Sequence, residues 1–274
     1  MNTPRTALTL SVFYLLSLFS YNGAAADDER LIRLTTTTTT ISSGLMDKLL
    51  PIFQTDTGYR VKIDAYGTGR ALRSARVGEA DIIIVHAPDA ENEFMQAGHG
   101  LSRLALMKNE FIIAGPKDDP AGIAQTTDVV TAFIRIADKQ ALFISRGDDS
   151  GTHKKELAIW KAAGIEPYGK WYFELGQGMG KTLEYANKSG AYVLVDRGTW
   201  LARRRQLQLM ESVRGDRLLD NPYHIIIVNP AKHPDTNLQG AQRLALWLTS
   251  KRGQKLIRAY TVDGESLFTP QVRP

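Results

Sequence analysis

The sequence predicts an α/β protein with two lobes and a ligand cleft between them. Short apolar segments alternate with segments whose apolar residues recur at helical spacing, which indicates strands joined by crossover helices. Residues 82–85 are apolar at every position, as expected for a strand that is buried on both faces. Two loops rich in turn-forming residues, at 115–120 and 221–223, are candidate crossings between the lobes.

The predicted strands are short and rich in aliphatic or β-branched residues. Each is bounded by turn-forming residues or by a helical pattern. They lie, in chain order, at residues 31–34, 61–65, 82–85, 111–114, 143–144, 192–195 and 225–228.

The predicted helices fill the intervals between these strands. Leu45, Leu49 and Phe53 recur at helical spacing, but Pro51 should kink or shorten this first helix because proline lacks the N–H donor. Later helices are predicted over about 70–77, 129–137 and 151–162, and in most of the C-terminal part.

The first 26 residues are predicted to be a secretory signal peptide. Arg5 supplies a positive start, residues 7–19 are largely apolar, and small residues at 24–26 precede an acidic stretch. The apolar segment is shorter than the roughly 20 residues that span a membrane comfortably. We therefore expect a protein exported to the periplasm, and an uncleaved N-terminal anchor is the alternative.

The composition narrows the classes of partner and cofactor. The chain has no cysteine, so it has no disulfide and no lipidated N-terminal cysteine. The formal charge of +5 suits an anionic ligand. The basic run at 203–205 is interpreted as a solvated helix face, and no nucleic-acid partner is expected. The five histidines are dispersed, so we expect neither a site for a free metal cation nor a cofactor.

The two candidate crossings define the expected lobes. If the chain crosses at both loops, residues 27–115 and 222–274 form the first lobe, and residues 116–221 form a second lobe inserted into it. Ligands commonly bind in the cleft that such a topology creates.

Two turns of the first lobe are rich in hydrogen-bond donors. The threonine run at 35–40 continues the first strand and then precedes a helix. Its hydroxyls can cap that helix, or they can face an anion together with backbone N–H groups. A glycine-flanked threonine follows the second strand, where the backbone can approach a ligand closely. The candidate ligand residues here are Thr38, Thr39, Thr40, Gly67, Thr68 and Gly69.

The segment 145–152 is the densest group of candidate residues. Arg146 can donate two parallel hydrogen bonds to an oxyanion, next to a predicted helix N-terminus. Asp148 and Asp149 can cap that helix or hold Arg146, and a purely structural Arg–Asp pair with an ordinary cap is the alternative. The candidate ligand residues of the second lobe are Ser145, Arg146, Ser150, Gly151 and Thr152, with Gly178 from the glycine-rich segment 176–181.

A hydrolase is a weaker alternative. Ser150 and His153 are three residues apart and would share a helix face. The glycine that precedes the serine in a nucleophile elbow is missing, and the two side chains would point nearly parallel.

Taken together, these segments closely resemble the tungstate-binding proteins of tungstate ABC transporters, within the type II periplasmic-binding-protein superfamily. The resemblance spans nearly the whole chain after the signal peptide. It rests on residues 36–40 before 43–45, 67–69, 80–86, 115–123, 145–156, 176–180, 196–199 and 221–223. It implies two α/β lobes that close on one tetrahedral dianion without catalysis, a membrane permease as partner, and a monomer.

The family pattern at the first turn has a serine that aligns with Thr39, and the family arginine aligns with Arg146. Tungstate and molybdate are dianions with no proton to donate, so their site should contain donors only. The resemblance favours tungstate first and molybdate second. Phosphate would gain from an acceptor such as Asp148 or Asp149, so another oxyanion remains an alternative, as does a periplasmic ligand sensor.

Overall fold

A computed structural model describes residues 30–271. The predicted signal peptide lies outside this range. The dominant element is an eight-stranded mixed sheet, and helices pack against it. Within residues 30–271, no helix combines the length and the apolar character that crossing a membrane would require.

The first lobe is built around three parallel strands, with the first strand between the other two. Because parallel strands end at the same edge of a sheet, the loops that follow them meet there. The elements are β1 (Leu31–Thr37), α1 (Thr38–Ser42), α2 (Leu45–Thr57), β2 (Arg60–Tyr66), α3 (Thr68–Arg76), β3 (Ile82–Val85) and α4 (Pro88–Gln96).

Two long strands connect the lobes. Strand β4 (Gly100–Gly115) pairs antiparallel with a later strand, β9 (Asp220–Val228), over the first part of its length. From Phe111 onward, β4 pairs instead with two strands of the second lobe, β7 (Val193–Asp196) and β8 (Met210–Val213). The two lobes therefore share one continuous strand.

The second lobe packs its helices around a smaller set of strands. Its strand β5 (Phe143–Ser145) pairs in parallel with β6 (Tyr172–Glu174) and is bridged to Tyr192, just before β7. Trp160 contacts Phe133 and Phe143 in its core. The helices are α5 (Val129–Asp138), α6 (Gly151–Ala162), α7 (Met179–Ser189) and α8 (Arg197–Arg203).

The C-terminal part returns the chain to the shared strand. Helices α9 (Leu238–Thr249) and α10 (Lys251–Ala259) lead into a hairpin of β10 (Thr261–Val262) and β11 (Glu265–Ser266). The last strand, β12 (Thr269–Pro270), then pairs antiparallel with β4.

Each predicted strand corresponds to an observed one, and the α/β class is confirmed. The lobe boundaries at 115/116 and 221/222 stay a prediction. The expected shortening at Pro51 is wrong, because α2 runs through it to Thr57. Burial of Leu45, Leu49 and Phe53 holds this helix against the sheet and outweighs one missing hydrogen bond. Pro51 itself is exposed.

The basic run at 203–205 is engaged in ion pairs. Arg204 pairs with Asp263 and Glu265 of the C-terminal hairpin, and Arg205 also reaches Asp263. These pairs tie the end of α8 to the hairpin that precedes β12.

A buried glutamate lies in the core of the second lobe. Glu156 on α6 is only 1 % exposed, and its Oε1 accepts hydrogen bonds from the Tyr172 hydroxyl (2.8 Å) and from Nε1–H of Trp160 (3.3 Å). Burial raises the pKa of Glu156 from 4.5 to about 7.

We predict that Glu156→Gln stabilises the protein at pH 8 but not at pH 5. The folded-state pKa lies above the unfolded value of 4.5, so ionisation costs stability as the pH rises from 4.5 through 7. A neutral amide avoids this cost, which reaches about 3 kcal/mol above pH 7. Denaturant unfolding at both pH values tests this, with Glu166→Gln as an exposed control. An equal gain at the two pH values would contradict it.

Candidate functional site

A cavity of about 860 Å³ opens between the two lobes. The first lobe contributes Thr38, Thr39 and Ser42 to its wall. The second lobe contributes Arg146, Gly178 and Thr199, together with neighbouring residues of α7 and α8. Four of the sequence-predicted residues therefore line one space, although they come from opposite lobes and are separated by more than 100 positions.

The threonine run divides into structural and cavity-facing residues. The Thr37 hydroxyl caps α1 and lies 2.8 Å from the hydroxyl of Thr40, while the Thr36 hydroxyl donates to the Ile84 carbonyl at 2.9 Å. Thr38 is exposed and Thr39 half-buried, and both line the cavity. Capping therefore accounts for Thr37 and Thr40, whereas Thr38 and Thr39 are available to a ligand.

The second predicted turn begins α3 and faces the other lobe. Thr68 is 1 % exposed, and its hydroxyl has no hydrogen-bond partner within residues 30–271. A Cβ built on Gly69 would lie 3.0 Å from Oδ2 of Asp149, so this turn contacts the segment 145–152 directly. A Cβ on Gly67 would meet nothing within 4 Å.

Arg146 is the buried cation of the site. It is 5 % exposed, and its Nη2 forms an ion pair with Oδ2 of Asp148. The other carboxylate oxygen of Asp148 accepts the backbone N–H of Ser150 at 3.2 Å. The Nε–H of Arg146 is buried and has no partner in the described part of the chain. Asp148 therefore orients the guanidinium and leaves part of it free to donate.

The other nearby carboxylates are also committed. Asp149 pairs with Lys154. Asp196 caps α8 by accepting the backbone N–H and the hydroxyl of Thr199 at 2.8 and 2.7 Å. Burial raises the pKa of Asp196, and the positive charge of Arg146 partly opposes this.

Ser145 and Ser150 have structural hydroxyls. The oxygen of Ser145 accepts the N–H of Gly147 (3.2 Å), and that of Ser150 accepts the N–H of His153 (3.3 Å) and so caps α6. Gly151 and Thr152 are the first two residues of α6, where backbone N–H groups lie outside the helical ladder. The Thr152 hydroxyl is buried without a partner among the described residues.

The Ser150–His153 pair is not arranged for catalysis. Ser150 bonds to the backbone of His153 rather than to its ring, and Nδ1 of that ring accepts the N–H of Asp149 at 3.1 Å. The remaining ring nitrogen lies 3.6 Å from Glu174. This geometry gives the imidazole no route to the serine proton.

Sequence reasoning missed most of the cavity wall, including Ser42, Gln177, Glu184 and Thr199, and it missed His86 at the contact between lobes. Thr199 and His86 lie within the segments that carry the family resemblance, but no local motif marks them as functional. Their positions depend on which loops the fold brings together.

The fold and the inter-lobe cavity define a periplasmic-binding-protein type of ligand-binding protein. Residues 22–252 match the model of the PBP superfamily domain, and the chain belongs to this superfamily. This confirms the two-lobed fold expected from the resemblance.

Several relatives share most of the chain. The tungstate-binding protein TupA of Peptoclostridium acidaminophilum is 46 % identical over 232 residues, which cover 83 % of this chain and 81 % of the relative. The solved structure of TupA from Desulfovibrio alaskensis G20 superimposes with a TM-score of 0.80 at 41 % identity, covering 89 % of this chain and 99 % of that one. A structure titled as the tungstate ABC transporter from Geobacter sulfurreducens gives 0.78 at 43 % identity, covering 84 % and 98 %.

We predict that Asp148→Asn weakens the binding of tungstate, molybdate and phosphate by the same factor, about tenfold. The amide still accepts the Ser150 N–H, but it no longer holds Arg146 by charge. Titration calorimetry with each anion measures the effect, with Asp138→Asn at the exposed end of α5 as control. A loss confined to phosphate would show instead that Asp148 accepts a proton from the ligand.

Proposed function

We propose that the protein captures tungstate in the periplasm and delivers it to the permease of an ABC transporter, with molybdate as the second ligand. The observation that carries this proposal is the buried guanidinium of Arg146, which has an uncommitted donor and shares a cavity with Thr38 and Thr39 of the other lobe. A buried cation with free donors favours an anionic ligand.

The chemistry of the cavity supports a fully ionised dianion. Hydroxyls, backbone N–H groups and a guanidinium all donate, as a ligand without a proton requires. The carboxylates that could accept a ligand proton are already paired. Asp148 is engaged with Arg146, Asp149 with Lys154, Asp196 with the start of α8, and Glu184 in the cavity wall with Arg203. This arrangement favours tungstate or molybdate over monohydrogen phosphate.

The relatives supply the narrower choice of ligand and partner. Two of those described above are named for tungstate binding, and the third for a tungstate ABC transporter. The predicted signal peptide agrees with a periplasmic location. We propose that the protein acts as a monomer and without catalysis, with lobes at 27–115 plus 222–274 and at 116–221.

The proposed ligand residues differ in how they contribute. Thr38, Thr39 and Arg146 offer side-chain donors at the cavity, and Thr68 and Thr152 offer buried hydroxyls without a partner among the described residues. Thr40, Ser145 and Ser150 help to shape the backbone of their turns through hydrogen bonds to their hydroxyl oxygens. The Ser150 oxygen only accepts in its bond, so its O–H remains able to donate to an anion. The glycines at 67, 69, 151 and 178 allow close approach of the main chain.

We predict that Arg146→Ala lowers tungstate affinity about a hundredfold, because a charge-assisted donor is lost from a buried site. Arg146→Lys should lose about tenfold, since it keeps the charge but not the planar fork. Calorimetry of the mature protein with tungstate, molybdate, sulfate and phosphate measures both variants. Arg243→Ala on the exposed face of α9 is the control.

Two results would overturn the proposed function. If none of the four anions produced binding heat with the wild-type protein, oxyanion capture would be excluded. If Arg146→Ala kept the wild-type affinity, the site would lie elsewhere.

A further inference from the structure

The two lobes come close to each other at the first residue of α6. A Cβ built on Gly151 would lie 2.9 Å from Cε1 of His86, 3.3 Å from its Nδ1, and 3.1 Å from the hydroxyl oxygen of Thr68. Gly151 is not among the glycines with positive φ, so the backbone conformation itself would accept alanine. What requires glycine at this position is the contact with the opposite lobe.

His86 cannot easily move away from this contact. Its Nδ1–H donates to Oδ1 of Asn221 at 2.8 Å, and its ring stacks on Tyr223 with 4.6 Å between centroids. Asn221 in turn donates to Oδ1 of Asn109 at 2.7 Å. Asn221 and Tyr223 lie on β9 and Asn109 on β4, the two strands that connect the lobes. The imidazole is therefore anchored to the connecting strands themselves.

The imidazole acts as a neutral surface. His86 is 4 % exposed, and burial lowers its pKa to about 4, so the ring is uncharged at neutral pH. The contact with Gly151 is consequently one of shape, and it adds no charge to the neighbouring anion site.

The position of Gly151 is coupled to that of Arg146. Asp148 accepts the N–H of Ser150, the residue before Gly151, and also holds the guanidinium. A shift of the α6 N-terminus away from His86 therefore moves Arg146 and the N–H group of Thr152 together.

We propose that the contact between His86 and Gly151 limits how far the two lobes can close. It thereby sets the distance between the segment 145–152, which carries Arg146, and the turn at Thr38 and Thr39, and so determines which tetrahedral anion fits. The proposal rests on the proposed function. Anions of equal charge and shape differ in size by tenths of an ångström, and sites of this kind need their groups placed to within about half an ångström. His86 is thus a specificity-determining residue that acts through position.

The test is a double-mutant cycle between these two residues. Gly151→Ala should weaken tungstate binding about tenfold, mainly through faster dissociation, because the added methyl prevents full closure. His86→Asn keeps a donor near the position of Nδ1 for Asn221 and removes the ring edge that faces Gly151. In this background Gly151→Ala should cost about threefold or less.

Calorimetry and stopped-flow dissociation of all four proteins provide the measurement. Lys161→Ala, at the exposed far end of α6, should bind as the wild type does. If Gly151→Ala reduced tungstate affinity equally in both backgrounds, or in neither, the proposed role of the His86–Gly151 contact would be overturned.

If Gly151→Ala does not fold, His86→Asn alone decides the question. It should reduce the ratio of tungstate to sulfate affinity about threefold or more, and an unchanged ratio would refute the proposal. Failure of the proposed function can be distinguished from failure of this proposal alone. In the first case the wild-type protein would bind none of the anions, and this proposal would be excluded as well.

Discussion

The structure depends on one long strand that serves both lobes. Strand β4 pairs with β9 over its first part and with β7 and β8 over its end, so an unbroken backbone passes from one sheet region to the other. The pairing partner of β4 changes between Glu110 and Phe111, so this point marks the junction of the two lobes along the strand. The cleft and its ligand groups are arranged around this junction.

The strand directions then decide what faces the cleft. Strands β1, β2 and β3 run parallel, and the residues that follow them include Thr38, Thr68 and His86. From the other side come the starts of α6 and α7. Many of the groups at the cleft therefore lie at the N-terminal ends of helices, which present free N–H groups and capping hydroxyls. A donor-rich cavity is a consequence of this topology as much as of individual residues.

The parts of this protein that the sequence predicts are those with a local signature. Apolar runs such as Ile82–Val85 predict strands because burial on both faces requires them. The first half of β4 was missed because many of its residues are partly exposed and its partner β9 is more than 100 positions away. Strands β6 and β8 are as short as β5 and β3, but they are only partly buried and contain polar residues, so no apolar run marks them in the sequence.

The candidate site divides in the same way. The segment around Arg146 was predicted because an arginine, two carboxylates and a helix start crowd into eight residues. Threonines that cap and threonines that face a ligand are the same residue type, so only the structure separates Thr40 from Thr38. His86 is a lone histidine after a strand, and its role follows only from its contact with a glycine in the other lobe.

Charge alone cannot give this cleft its selectivity. The guanidinium of Arg146 is already partly offset by Asp148, so its net attraction for a dianion is reduced and is similar for every anion of the same charge. The other proposed ligand groups are neutral hydroxyls and backbone N–H groups, and their hydrogen bonds weaken steeply as distance and angle depart from the optimum. Discrimination must then come from how closely the two donor sets approach each other. That approach is limited where α6 meets His86, because a glycine is the only residue that leaves room there. In the proposed arrangement, the contact between His86 and Gly151 therefore carries more of the specificity than the charge of Arg146 does.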